Sequence, residues 1–161
     1  MNIEICLDDE RAVMPRVAHE SDVGMDLTVI DVHPAFKNHL TFGHRPGETV
    51  LYDTGLIVRP GEGYYTEIVP RSSIYTSQYR LANSIGIIDP HYRGRLYIAV
   101  DRIATECIKA KNSGKTLLDS DYKNTFQLIL RPYVKPVIAA IAKNELDETV
   151  RGAGGFGSTN Q

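Results

Sequence analysis

Thr49-Val50-Leu51-Tyr52-Asp53-Thr54-Gly55-Leu56-Ile57-Val58, then Gly63-Tyr64-Tyr65-Thr66-Glu67-Ile68-Val69, decide the fold class of this chain. The first run follows Pro46-Gly47 and stops at Pro60-Gly61, and the second stops at Pro70. Short runs of β-branched and aromatic residues between Gly/Pro turns are the signature of strands. The same pattern recurs outward in both directions. Ile3 to Leu7 alternates, and Leu96-Tyr97-Ile98-Ala99-Val100 leaves Arg93-Gly94. Phe126-Gln127-Leu128-Ile129-Leu130 and Val137-Ile138-Ala139-Ala140-Ile141 flank Pro132 and Pro136. Only Ser72 to Arg80 has helical promise, and it is short. Without helices between strands, a doubly wound parallel sheet is excluded in favour of a compact antiparallel sandwich or barrel. Polar stretches at His33–Gly47 and Glu106–Lys123 read as extended loops.

The chain has 161 residues, 42% hydrophobic and 24% charged, with a formal net charge of -2. That describes one ordinary globular domain with a sizeable core. The charge argues against bulk binding of nucleic acid or of a membrane surface, so a polyanionic ligand has to be held by a few local cations. Cys6 and Cys107 lie far apart, and neither they nor the five scattered histidines show metal-ligand spacing. Free thiols point to a reducing compartment, cytoplasmic or nuclear. The N-terminus lacks a basic region followed by an apolar core, so no signal peptide is expected.

Several stretches carry chemistry. Val69-Pro70-Arg71-Ser72-Ser73 opens the helix-like stretch, with two serines suited to capping and an arginine beside them; the reading is an anion site or a plain N-cap. Ile85-Gly86-Ile87-Ile88-Asp89-Pro90-His91-Tyr92-Arg93-Gly94 reads as a hairpin with a turn at Asp-Pro. Its Asp89 is either a turn cap or a functional carboxylate. Ser21-Asp22-Val23-Gly24-Met25-Asp26-Leu27 places another carboxylate after a glycine. The last residues, Arg151-Gly152-Ala153-Gly154-Gly155-Phe156-Gly157-Ser158-Thr159-Asn160-Gln161, cannot bury anything and are expected to be mobile alone. Their chemistry suits a nucleotide. Glycine amides such as that of Gly157 and the Ser158 and Thr159 hydroxyls donate to phosphate, Arg151 forks phosphate oxygens, and Phe156 offers a face to a base.

The joint order of these stretches, with Phe126-Gln127-Leu128 between the last two, resembles the five ordered motifs of the trimeric dUTPases over roughly residues 20 to 160. The resemblance implies a jelly-roll-like β-barrel over residues 1–150, a nucleotide-closing tail over 151–161, and a homotrimer with active sites built from several subunits. It implies hydrolysis of dUTP to dUMP and pyrophosphate, with Mg²⁺ on the triphosphate. By position, Asp89 matches the carboxylate that orients the attacking water and Tyr92 the ring that packs on deoxyribose. Backbone groups of Gly86, Ile87 and Ile88, with Asn83, match the uracil reader, and Tyr97 lines the same pocket. Arg71, Ser72, Ser73 and Gln127 match phosphate contacts, and Asp26 the acid near metal-bound waters. Arg151 matches the tail arginine that reaches the γ-phosphate, and Phe156 the ring that stacks on uracil. The chain departs from the family at Ser21-Asp22-Val23, where Ala usually precedes the glycine, at Asn124, where Arg is usual, and at Phe126, where a small residue is usual. The rival readings are a dCTP deaminase of the same fold and a regulatory or binding module. The deaminase needs a glutamate on the strand after the hairpin, and Arg95-Leu96-Tyr97-Ile98-Ala99-Val100 holds no carboxylate.

Overall fold

The structure, a computed structural model, describes residues 2–37, 47–103, 117–118 and 124–154. Ten strands run in chain order: β1 (Ile3–Leu7), β2 (Met25–Leu27), β3 (Asp31–Val32), β4 (Thr49–Asp53), β5 (Leu56–Pro60), β6 (Tyr64–Pro70), β7 (Tyr79–Leu81), β8 (Gly86–Ile88), β9 (Tyr97–Arg102) and β10 (Phe126–Pro132). All named pairings are antiparallel. One four-stranded sheet has the order β2-β10-β6-β8, a second β3-β4-β9-β7, and β1 pairs with β5 in a two-stranded sheet. The helical elements complete within the described residues are short 3-10 turns, Pro34–Phe36, Ser72–Thr76 and Lys143–Glu145. The all-β reading holds. Among the described residues no helix is long and apolar enough to cross a membrane.

The core lies between the two larger sheets. Leu27, Ile68, Phe126 and Leu128 of the first meet Val32, Val50, Tyr52, Ile98 and Val100 of the second, with Leu56 and Val58 of β5, in one buried cluster. Strand alternation produces this directly: in β6, Thr66 and Ile68 turn inward, while Tyr65 and Glu67 turn outward and pair with each other at 2.5 Å. Burying each such Leu, Ile or Phe contributes roughly 1.5–3 kcal/mol.

Local chemistry explains where the chain departs from the sequence reading. The run Thr49–Val58 is two strands. Gly55 sits at φ +66°, and a Cβ there would meet Asp9 and Ile30 at 2.9 and 2.7 Å. The Asp53 carboxylate accepts from the Gly55 N–H at 2.8 Å, and the Thr54 hydroxyl donates to the Leu96 carbonyl at 2.9 Å. The chain therefore turns from one sheet into another at Thr54-Gly55. Ser72–Arg80 is not a helix but a 3-10 turn followed by β7. The cap position is Arg71 and no side chain caps it, so Ser72 and Ser73 are not N-caps. Ile85–Gly94 is not a hairpin. β8 pairs with β6, whereas β9 pairs with β4 and β7. Leu96 is captured by the β4–β5 turn, its N–H donating to Leu56 O at 2.8 Å, and that carries the chain across to the second sheet. Val137–Ile141 is not a strand. Val137 and Ile138 are 97% and 91% exposed: Pro132 ends β10, Pro136 has no N–H to give a ladder, and among the described residues no strand pairs with this stretch.

Candidate active site

Two clefts gather the singled-out residues, and they open on opposite edges of one sheet. The first, of about 450 Å³, is lined by Gly24, Asp26, Arg71, Ser72 and Gln127 among others. Sheet register makes it: Gln127 pairs with Asp26 on one side and Val69 on the other. Arg71, just past β6, reaches the Asp26 carboxylate at 2.9 Å and donates to the Asn124 carbonyl at 3.1 Å. Gln127 Nε2 donates to the Pro70 carbonyl at 3.1 Å. Gly24 lies against the Gln127 side chain: a Cβ would stand 1.9 Å from Oε1 and push the amide aside. The cleft thus holds a paired cation, a carboxylate and an amide in fixed places. Ser73 does not line it.

The second cleft, of about 190 Å³, is lined by Ile87, Ile88, Asp89, Tyr92, Arg95 and Tyr97. It is the corner between β8 and β9. Asp89 is exposed, and its carbonyl accepts from the Tyr92 N–H at 3.1 Å, closing the turn. The Tyr92 ring lies against Gly94, where a Cβ would stand 2.3 Å from Oη, and that hydroxyl donates to the Arg95 carbonyl at 3.1 Å. The ring and the exposed Asp89 carboxylate thus line the same cleft. Asn83 and Gly86 adjoin: the Asn83 amide nitrogen is 3.6 Å from where a Gly86 Cβ would be. Between them Ser84 takes φ +60° and the Ile85 N–H donates back to Asn83 O at 2.6 Å, a γ-turn that stores strain next to the cleft. Burial raises the Tyr97 phenol above its ordinary value, with the Asp53 charge adding to it, so this wall stays neutral.

β2 and β8 are the two edges of the same sheet. Asp26 lies in the row of Val69, whereas Asp89 follows Ile88, which lies in the row of Thr66. Three strand spacings across and four residues along place Asp26 and Asp89 roughly 20 Å apart. One chain does not bring the two clefts onto one ligand. Arg151 lines neither cleft; it is exposed, and its Nε donates to Gly154 O at 3.1 Å. Phe156, Gly157 and Ser158 lie outside the described residues.

Comparison with known proteins decides the lineage. The dUTPase family model matches residues 10–160. The chain belongs to the dUTPase family. It is 31% identical over 147 residues to a deoxyuridine 5'-triphosphate nucleotidohydrolase of Escherichia phage T5, covering 91% of this chain and 90% of that one. A deoxyuridine 5'-triphosphate nucleotidohydrolase of Paraburkholderia xenovorans is 33% identical over 154 residues, covering 94% and 91%. Among solved structures, a mutant dUTPase of Staphylococcus bacteriophage 80alpha with dUpNHpp superposes with a TM-score of 0.74 at 20% identity, covering 98% of each chain. A mutant dUTPase of phage phi11 of S. aureus, described with a structural Mg(II) ion, superposes at 0.67 and 20% identity over 91% of this chain and 100% of that one. These two likenesses support the shared fold.

The donor set suits one kind of metal handling. Among the described residues no group of three or more His, Cys, Asp or Glu side chains is placed to cage an ion. Asp22 and Asp26 are the carboxylates that line the first cleft, and Asp26 is already paired with Arg71. So few protein oxygens suit an Mg²⁺ that arrives on phosphates and keeps most of its waters. Two features escaped the sequence reading. The Gly24–Gln127 contact depends on strand register, and the grip of Asp8 and Asp53 on Arg95 joins residues far apart in the chain. The available signal was an arginine just ahead of the apolar run Leu96–Val100.

Proposed function

We propose that this dUTPase-family chain hydrolyses dUTP to dUMP and pyrophosphate, keeping uracil out of DNA and supplying dUMP for dTMP synthesis. The observation that carries the reading is the second cleft, where a free carboxylate, Asp89, stands beside a ring, Tyr92, pinned over Gly94. The Asp89 carboxylate orients a water for attack on the α-phosphorus. The new P–O bond forms as the bond to the bridging oxygen of the β-phosphate breaks. The Tyr92 ring packs on deoxyribose and leaves no room for a 2′-hydroxyl. Backbone groups of Gly86, Ile87 and Ile88, with Asn83, read the uracil edge, and a cytosine amine there would set donor against donor. Tyr97 closes the pocket wall. Arg71, Ser72, Ser73 and Gln127 hold phosphate oxygens, and Asp26 takes the waters of Mg²⁺. When bound on the triphosphate, Mg²⁺ neutralises the charge of the leaving group.

The distance between the clefts supports a site shared between copies of this chain, a homotrimer in which the first cleft of one subunit faces the second cleft of another. The exposed apolar residues Val134, Val137, Ile138 and Ile141 beyond β10 support the same reading, since a lone chain leaves them in water. The tail then closes the site, with Arg151 on the γ-phosphate, Gly157 and Ser158 near phosphates, and Phe156 over the base. The test is incubation with each dNTP and with UTP in Mg²⁺, followed by identification of products. The expected result is dUMP and pyrophosphate from dUTP, with dTTP, dCTP and UTP poor substrates. Ammonia from dCTP, or orthophosphate from dUTP, overturns it.

A further inference from the structure

Arg95 lines the second cleft, yet its guanidinium is unavailable to a phosphate. Its Nε donates to Asp8 Oδ2 at 2.8 Å, its Nη1 donates to Asp53 Oδ2 at 3.0 Å and lies 3.6 Å from Asp9 Oδ2, and its Nη2 donates to the Asp8 carbonyl. Asp9 itself is held by Arg11, whose Nε and Nη2 donate to its two carboxylate oxygens at 3.0 Å each, so the guanidinium of Arg95 is committed chiefly to Asp8 and Asp53. Asp53 is 4% exposed, and its other oxygen accepts from the Gly55 N–H at 2.8 Å, so the anchor belongs to the core. The hydrogen bonds that the guanidinium donates to Asp8 and Asp53 hold it above its ordinary pKa. The main-chain carbonyl of the same residue accepts from Tyr92 Oη at 3.1 Å. The side chain of Arg95 therefore fixes the stretch of backbone from which the Tyr92 hydroxyl hangs.

We propose that Arg95 is a positioning residue for sugar selection: by tying the start of β9 to Asp8 and Asp53 it sets the tilt of the Tyr92 ring, and with it the exclusion of a 2′-hydroxyl. This rests on the reading of Tyr92 as the deoxyribose ring of a dUTP site. It assigns a job to the N-terminal segment Asp8-Asp9, which lines neither cleft itself and reaches the second one only through Arg95. The tie uses separate nitrogens of a rigid planar fork for Asp8 and Asp53, a geometry that the compact ammonium of a lysine on a flexible stem does not reproduce.

The experiment compares the wild-type chain with R95Q, R95K and the double variant R95Q/D53N. The readouts are kcat/KM for dUTP and for UTP, affinity for the non-hydrolysable imido analogues of both nucleotides, and thermal unfolding. R95Q leaves a buried carboxylate without its cation and lowers the unfolding midpoint; R95Q/D53N removes that charge and recovers it. The preference for the deoxy over the ribo nucleotide falls about tenfold in R95Q and stays low in the double variant, as expected for a misaligned ring. R95K falls between. Wild-type preference in R95Q and in the recovered double variant overturns the proposal, as does a preference that simply follows the unfolding midpoint. If R95Q does not fold, the double variant and R95K decide. If the wild-type chain fails to hydrolyse dUTP, the catalytic reading falls, while the ratio of imido-analogue affinities still judges Arg95.

Discussion

At the scale of single residues, the second cleft is legible because its parts are neighbours in sequence. Asp89, Tyr92 and Gly94 fall within six positions, and a turn that must bend at Pro90 holds them together whatever the rest of the molecule does. Asp89→Asn tests the role of the carboxylate. The fold and nucleotide affinity are expected to persist, with kcat lower by a factor on the order of 10²–10⁴. Unchanged turnover would reduce Asp89 to a turn cap. The first cleft was harder to read. That Asp26 meets Arg71 follows from the sheet, since β10 sets β2 beside β6, and no local pattern announces it. Gly24 is the extreme case. Its neighbour is a glutamine 103 positions away in the chain, whose side chain fills the space of a Cβ.

Elements show where periodicity stops being informative. Alternation and Gly/Pro punctuation found β1, β6 and β10 nearly to their ends, because those properties belong to the strand itself. They did not say which strand pairs with which. The β8–β9 corner reads as a hairpin in sequence because both flanks are apolar and a turn separates them, but Leu96 is hydrogen-bonded to the β4–β5 turn instead. Val137–Ile141 carries the composition of a strand, but two prolines precede it and among the described residues no strand pairs with it. The segment after Val150 is expected to act as an element in its own right. A chain ending at Val150 should keep its thermal midpoint, because Arg151 bonds only to Gly154 among its described side-chain hydrogen bonds and nothing buried depends on it. Its dUTP hydrolysis should drop sharply through loss of water exclusion and γ-phosphate contact. Full activity of the shortened chain would show that the tail is a passive linker.

At the scale of the whole molecule, the division of the site between two sheet edges makes the strongest demand. Asp89→Asn and Arg71→Ala each damage a different cleft. If the site is shared, two nearly inactive proteins, unfolded together and refolded as a mixture, recover activity wherever an intact Asp89 of one chain faces an intact Arg71 of another. Each refolded alone does not. Absence of recovery in mixed assemblies, verified by light scattering at about three times the 17.9 kDa chain mass, would place the whole site in one chain. The same separation of clefts gives this fold a dependence on concentration. A newly made chain holds Asp26 and Asp89 roughly 20 Å apart. If the site is shared, mass action governs when chemistry begins: at high dilution the specific activity should fall with protein concentration, and a cell making few copies would own the polypeptide before it owned the catalyst.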